Sequence, residues 1–232
     1  MKSNLVAREG GIDRGTASDR GTLVIVGAGG HATSCADVAR SAGYGRIWFV
    51  DARKAGARLL DWDIVGDVAD VYTPGGEVLV AIGDNASRQR VCEDISRRFP
   101  DCRFPPVVHA TASISPYARI EEGAVAMAGA VVGPNSRCGR FCIVNTRASI
   151  DHDCVMEDFS SIAPGAVTGG GVRIGLRSAV GIGAVVRHGV VIGDDCVVGA
   201  NSYVHGHMTN NIVCYGSPAR VVRGRNLDDR YL

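Results

Sequence analysis

The chain has 232 residues, with 25 Lys and Arg against 24 Asp and Glu and a formal net charge of +1. That balance excludes a general attraction to nucleic acid or to an acidic membrane surface, and no run approaches the ~18 apolar residues of a membrane span. One or two domains are expected at this length, and the scarcity of aromatics (6%) beside 31 glycines suits a fold of tight corners and small side chains.

Met1 to Gly21 is polar, charged and without periodicity. It is expected to be a disordered tail, and it lacks the apolar core of a signal peptide, so the cytoplasm is the default location.

Residues 22–106 read as a small α/β domain. Leu23 to Val26 is a short apolar strand that runs into Gly27-Ala28-Gly29-Gly30-His31-Ala32. An Ala-rich helix follows to Ala42, with Ala32, Cys35, Val38 and Ala39 on one stripe. Ile47 to Val50 is a second strand ending at Asp51 and Ala52. Ile64 to Asp67 is a weak strand or a turn. Glu77 to Asp84, which includes Gly83, is a third strand. Ala86 to Phe99 reads as a helix with Val91, Ile95 and Phe99 on one face, and Pro100, Pro105 and Pro106 end it and form the linker. The order predicts a Rossmann-like parallel sheet of three or four strands with helices on its faces.

The glycine loop fits G-x-G-x-x-A at Gly27, Gly29 and Ala32, between a strand and a helix, with Asp51 about twenty residues on. A helix N-terminus offers free N–H groups to a phosphate, and glycines let the backbone come close. Asp51 is placed to take a ribose or base hydrogen bond. The alternative is a tight turn with no ligand. A redox NAD domain fits less well, because residues 22–106 supply only half of a full dinucleotide fold.

Residues 107–209 carry the strongest signal. From Val108 to Thr209 the sequence reads in sixes without slipping, as seventeen hexads of which fourteen open with Val, Ile or Met. The exceptions are Ala126, Cys138 and Thr168. The fifth place is small in most hexads, for example Ala112, Ala130, Cys142, Ala148, Cys154, Ala166 and Cys196. A helix has no apolar period of six, and a free strand has a period of two. Six fits a short strand plus a corner, and three sides close one coil of eighteen residues. This is a parallel β-helix of nearly six coils, of the hexapeptide kind known in left-handed form. Glycines at the second and fourth places are expected to serve unusual backbone angles at the corners. Residues 210–232 leave the pattern, and Tyr215 to Arg223 is expected to turn away from the prism and cap its end.

The eight cysteines read mainly as small apolar fillers, without a CxxC pair or a disulfide framework. His205 and His207 are too few to define a metal site, and His109 and His188 read as corner residues.

Against the inert Val, Ile, Ala and Gly of the hexads, Asn145 to Cys154 is the densest polar stretch. His152 stands between Asp151 and Asp153. A neighbouring carboxylate raises an imidazole's pKa and fixes its tautomer, which suits a general base near neutral pH. A surface histidine with solvated neighbours is the alternative. Cys154 beside it is a nucleophile by type, but it occupies a small hexad place.

GAGGHA after the first strand, VAIGDN at the third, the hexad helix, the segment NTRASIDHDC and the closing GSPARVV together resemble the bacterial sugar O-/N-acyltransferases of the left-handed β-helix class. The resemblance spans Thr22 to Arg223. It implies an acetyl-CoA-dependent N-acetyltransferase acting on the C4 amine of a nucleotide-linked 4-amino-dideoxy sugar (UDP-, GDP- or dTDP-linked), serving surface-glycan synthesis. By resemblance His152 is the proton acceptor, Asp153 makes it more basic and Asn145 is an active-site asparagine. Gly29, Gly30 and His31 hold the diphosphate, Asp51 and Ala52 meet the nucleoside, and Gly83 belongs to the same substrate site. Acetyl-CoA lies along the helix at Ile182 and Ala200. Arg187, Arg220 and Arg223 have two readings, solvated surface or contacts to the phosphates of CoA. Many members carry a second, cofactor-contacting His where this chain has Ser161, a departure that puts that contact in doubt. No metal is implied, and the resemblance implies a homotrimer with sites between chains. Two rivals remain: O-acetylation of a hydroxyl by the same apparatus, and a non-catalytic nucleotide-sugar binder, for which Ser161 is the motive.

Overall fold

A computed structural model describes residues 20–226 and 229. The expected tail therefore lies outside the described residues apart from Arg20 and Gly21.

The N-terminal lobe runs β1 (Thr22–Val26), α1 (Gly30–Ser41), β2 (Arg46–Val50), β3 (Arg58–Leu59), β4 (Trp62–Val65), β5 (Glu77–Val80) and α2 (Asn85–Arg98). Its sheet has the order β3-β4-β2-β1-β5. β4, β2, β1 and β5 are parallel, with Leu23 opposite Ile47 and Glu77. Alternation along β1 sends Leu23 and Ile25 into the core under α1 and Val24 into the core under α2, as the two-residue period of a strand requires. The weak Ile64 segment is a strand, because Ile64 pairs with Phe49 and is buried. The antiparallel edge strand β3 carries no periodic signal in the sequence: it is two residues long and its side chains are polar or half-exposed.

From Val107 the chain winds a triangular prism of two-residue strands, each pairing with the strand eighteen residues on, as Val131 does with Ser149 and Val125 with Ile143. The first face contains Ser113–Ile114 through Tyr203–Val204. The second contains Arg119–Ile120 through Val191–Ile192. The third contains Val107–Val108 through Val197–Val198 and continues into the closing hairpin. The first place of each hexad points inward, so Val132, Ile150, Met156, Ile162, Ile174 and Val186 form one column of core with the small fifth-place residues. Stacking equivalent places at the strand spacing of ~4.8 Å confines the inward place to small and medium, mostly apolar side chains, which keeps the pattern in register.

The two glycine places differ in cause. The fourth place is left-handed, and Gly129 and Gly165 have φ of 68 and 67° there. The second place has ordinary angles, and its glycines answer to crowding: a Cβ on Gly133 would stand 2.8 Å from the backbone carbon of Asp151 in the next coil. The expectation of unusual angles at the second place is thus corrected.

The C-terminal segment also departs from expectation. Ile212–Tyr215 does not leave the prism but pairs in parallel on Val197–Val198, extending the third face, and Arg220–Gly224 returns antiparallel on it. Arg225, buried, donates to the Asp195 carbonyl at 3.0 Å and holds the hairpin to the last coil.

The lobe is fixed to the prism along the edge between the second and third faces. Phe141, Phe159 and Arg177 are equivalent residues of three successive coils, all with φ between 54 and 57°. A left-handed conformation costs a non-glycine residue roughly 1–2 kcal/mol. Their three carbonyls are accepted into one set of hydrogen bonds from the first turn of α2. Buried Arg88 donates to Phe141 O at 2.9 Å and Phe159 O at 2.8 Å, and Asn85 donates to Arg177 O at 3.0 Å and Ser178 O at 3.2 Å. Arg88 also donates to Ile82 O, Gly83 O and Asn85 Oδ1. Beside this ladder the Phe104, Phe141 and Phe159 rings pack at centroid distances of 5.2 and 5.0 Å.

Arg88→Met would keep the apolar stem and leave the Phe141 and Phe159 carbonyls without their donor. A loss of roughly 3–5 kcal/mol is expected from such a buried charged network, read by urea denaturation. A loss below ~1 kcal/mol would show that the ladder does not hold the lobes together.

Candidate functional site

The loops after β1, β2 and β5 meet at the C-terminal end of the sheet, where an open α/β sheet presents its ligand crevice. Gly27 has φ of 111°, and a Cβ there would lie 2.9 Å from Ala81 O, so the turn admits glycine alone. Gly29 caps α1 without a side-chain hydrogen bond, and the Cβ positions of Gly29 and Gly30 open onto free space. The first N–H groups of α1 are therefore presented at an exposed, side-chain-free surface, an arrangement suited to a phosphate.

His31, half-buried at the start of α1, has its Nε2 3.6 Å from Cys35 Sγ. Burial pushes its pKa down to about 4, helped by the Arg88 charge. It is neutral at pH 7 and offers a phosphate a hydrogen bond, not a charge. The nearby cation is Lys54, unnoticed in the sequence, whose Nζ donates to Ala28 O at 2.5 Å and so lies over the glycine loop. Asp51 is half-buried at the end of β2, its Oδ1 accepting from Arg53 N at 3.0 Å, with Ala52 exposed beside it. Gly83, in the loop after β5, accepts from Arg88 Nη1 at 3.1 Å.

On the prism, His152 is exposed on the edge between the first and second faces. Its Nδ1 is 2.6 Å from Asp153 Oδ2, which makes Nδ1 the donor and leaves Nε2 facing solvent with a lone pair in the neutral ring. Asp153 is further held by Asn135 Nδ2 at 3.2 Å. The His152 pKa is raised, first by the Asp153 hydrogen bond and then by the Asp151 charge, and the Asp153 carboxyl is lowered, first by His152 and then by Asn135. In the next coil Gly170 lies under the imidazole ring, which occupies the space a Cβ would need. The corner Gly169-Gly170-Gly171 thus presents no side chain of its own to the ring.

Cys154 is 1% exposed, and its sulfur donates to the His152 and Gly169 carbonyls, so it faces away from any reacting group. The remaining residues singled out in the sequence lie elsewhere on the prism. Asn145, Ile182 and Ala200 stack on the edge between the third and first faces, where Ile182 is 59% exposed and Asn145 Oδ1 accepts from Thr146 N at 2.8 Å. Ser161 stands half-buried on the outer side of the third face. One chain therefore unites His152 with Asp153, and the glycine loop with Asp51, but leaves these sets on separate sides of the prism from Asn145, Ser161, Ile182 and Ala200.

Residues 22–95 match the PglD N-terminal domain family. Over the whole fold the chain is similar to the acetyltransferase domain of PglB from Neisseria gonorrhoeae, with 32% identity and a TM-score of 0.82 over 87% of this chain and 99% of that one. It is likewise similar to PerB from Caulobacter crescentus, described in complex with CoA and GDP-perosamine, with 33% identity and a TM-score of 0.81 over 88% and 98% of the two chains. WeeI from Acinetobacter baumannii shares the fold at 20% identity and a TM-score of 0.75 over 87% and 100%. The chain belongs to the hexapeptide-repeat sugar N-acetyltransferases, whose left-handed β-helix and α/β lobe it reproduces.

Gly170→Ala tests the imidazole's seat. Its backbone angles suit alanine, so the fold should melt as before, while the displaced ring should lose roughly 10²-fold in turnover. Unaltered turnover would show that the ring's position against this corner is immaterial.

Proposed function

We propose that this protein transfers the acetyl group of acetyl-CoA to the C4 amine of a nucleotide-linked 4-amino-dideoxy sugar. The observation that carries the reading is the His152–Asp153 pair on an exposed prism edge, with a free Nε2, in a chain that also presents an uncapped glycine loop. PerB, described with CoA and GDP-perosamine, supports the substrate class, and the PglB domain described with acetyl coenzyme A supports the donor.

In this reading the nucleotide sugar lies at the C-terminal end of the sheet. Its diphosphate meets the N-terminus of α1 at Gly29 and Gly30, with His31 donating a hydrogen bond and Lys54 supplying charge. Asp51 and Ala52 meet the nucleoside, and Gly83 borders the sugar. His152 Nε2 takes a proton from the amine as its nitrogen attacks the thioester carbonyl. The N–C bond forms, the C–S bond breaks, and the imidazolium returns the proton to the departing thiolate, giving the acetamido sugar and CoA. Asp153 holds the Nδ1–H and stabilises the imidazolium between the two transfers.

Asn145, Ile182 and Ala200 occupy a different edge from His152, and Ser161 a different face. Their assignment to one site requires two chains, the His152 edge of one meeting the third face of the next. A cyclic homotrimer satisfies this, since each chain then contributes the same two surfaces. No helix of the described residues is long and apolar enough to cross a membrane. Cytoplasmic action on a cytoplasmic nucleotide sugar completes the proposal.

CoA release should be seen with at least one of a set of UDP-, GDP- and dTDP-4-amino sugars that includes GDP-perosamine, and more slowly with the hydroxyl analogue. His152→Ala should cost roughly 10²–10⁴ in rate. Silence with every donor–acceptor pair, or full activity in the variant, would overturn the assignment.

The pH dependence has a definite sign. The base works neutral, and a folded pKa raised above 6.5 moves the rising limb of kcat/KM to higher pH. Asp153→Asn, which suits the left-handed position, should draw that limb back toward lower pH and reduce the plateau rate. A limb that does not move would mean that the titrating group is not His152.

A further inference from the structure

The corner that carries His152 is gripped by the corner one coil before it, Gly133-Pro134-Asn135-Ser136. Pro134 O accepts from Asp153 N at 3.0 Å. The buried Ser136 hydroxyl donates to Asp151 O at 2.5 Å and accepts from Cys154 N at 2.9 Å. Asn135 Nδ2 donates to Asp153 Oδ1 at 3.2 Å. The first three bonds fix the backbone on both sides of His152. The fourth reaches a side chain of the proposed catalytic pair.

Asn135 and Asp153 hold the same hexad place 18 residues apart, with φ of 58 and 57°. Equivalent left-handed corners send their side chains out in the same direction, one coil spacing of ~4.8 Å apart, and a short amide spans that gap to a carboxylate. The equivalent place in the next coil is Gly171, which has no side chain to offer. Asp153 is thus held along this column from one side. Its side chain is 56% exposed, so without that hold the carboxylate is free to turn toward water. With Oδ1 bound to Asn135, Oδ2 is the oxygen left at 2.6 Å from His152 Nδ1.

We propose that Asn135 is a positioning residue for the acetyl transfer, fixing the Asp153 carboxylate in the orientation that holds the His152 Nδ1–H. The inference rests on the reading of His152 as the base, and Asn135 acts on that base through Asp153. An oriented acceptor keeps the ring in the tautomer with Nε2 free and is already in place when the imidazolium forms. A carboxylate that turns to water must be brought back at each turnover. An amide donor also favours the ionised carboxylate, in keeping with an Asp153 carboxyl lowered first by His152 and then by Asn135. The other titratable groups around the pair are Asp151 in the same coil, and Tyr117 and His188 two coils away on either side. Arg137, beyond Ser136, is engaged by Glu121 on the second face.

Asn135→Gly tests this, since glycine suits the left-handed corner and the melting temperature should barely move. The kcat should fall roughly fivefold, the worth of one lost hydrogen bond, with the KM for acetyl-CoA unchanged. Asp153→Asn removes the carboxylate through which Asn135 acts, so adding Asn135→Gly to it should cost nothing more. Unaltered kcat in the single variant, or the same loss in both backgrounds, overturns the proposal. An NMR titration of the His152 ring separates this from failure of the assigned reaction, because it needs no substrate. In Asn135→Gly the freed carboxylate grips the ring less, and the raised His152 pKa should fall back toward the ordinary 6.5. In the Asp153→Asn background the added Asn135→Gly should leave it where it was. A His152 pKa that stays or rises in Asn135→Gly also overturns the proposal, since a rise would mean that Asn135 only draws charge from the carboxylate.

Discussion

The architecture depends on a ladder of three backbone carbonyls, from Phe141, Phe159 and Arg177, taken up by Arg88 and Asn85 on the first turn of α2. A solenoid has no intrinsic preference for where a second lobe sits on it, since every coil repeats the last. The ladder removes that freedom. Left-handed residues at one edge turn their carbonyls outward at the coil spacing, and a planar guanidinium with its fixed fork of donors spans two of them. The burial of Arg88 demands that these bonds be made, because an unpaired charge there would cost several kcal/mol. The same guanidinium reaches Ile82 O and Gly83 O. It thereby ties the loop after β5 to the prism and contributes to holding His31 neutral.

That single docking has a consequence for the reaction. The lobe is bound at the edge between the second and third faces, whereas His152 stands at the edge between the first and second. The second face between them is braced by ion pairs, Arg137 with Glu121 and Arg173 with Glu157, both at 2.6 Å. The glycine loop and the imidazole of one chain are thus held apart by a rigid wall. In the proposed trimer the base of one chain would meet the sugar held by its neighbour, and a rigid lobe position would then set the geometry of that site.

Much of this was legible in the sequence because it rests on short-range periodicity. Seventeen hexads fix the prism, and the first and fifth places point inward as the spacing implies. The glycine loop and His152 were legible because residue type and local context carry their chemistry. What escaped was non-local. Arg88 reads in the sequence as one of several basic residues on a polar helix, and nothing nearby shows that its partners are 53 and 71 residues away. Lys54 lies in a loop whose path the sequence does not set. The second-place glycines were legible as glycines but not in their cause, since crowding by the next coil is invisible without the stack. The expected turn of Tyr215 to Arg223 away from the prism fails for a similar reason: the hexad spacing breaks, yet Ile212–Tyr215 satisfies the open edge of Val197–Val198 and Arg220–Gly224 pairs back on it.

The pairing of His152 with Asp153 is itself a product of the coil. In a strand, neighbouring side chains point to opposite faces, and consecutive residues cannot share a hydrogen bond of 2.6 Å with a ring between them in that geometry. The hexad's fourth place solves this. Asp153 sits there with φ of 57°, and aspartate is among the residues that tolerate that region. The reversal of the chain at the corner swings its carboxylate back beside the preceding ring. The same reversal stacks the third-place residue over its equivalent in the next coil, and glycine at 170 leaves room for the imidazole. The hexad rule thus does more than build a scaffold. Its left-handed corner brings two adjacent side chains within 2.6 Å of each other, the pairing that the proposed base and its support require on a wall of valine and isoleucine.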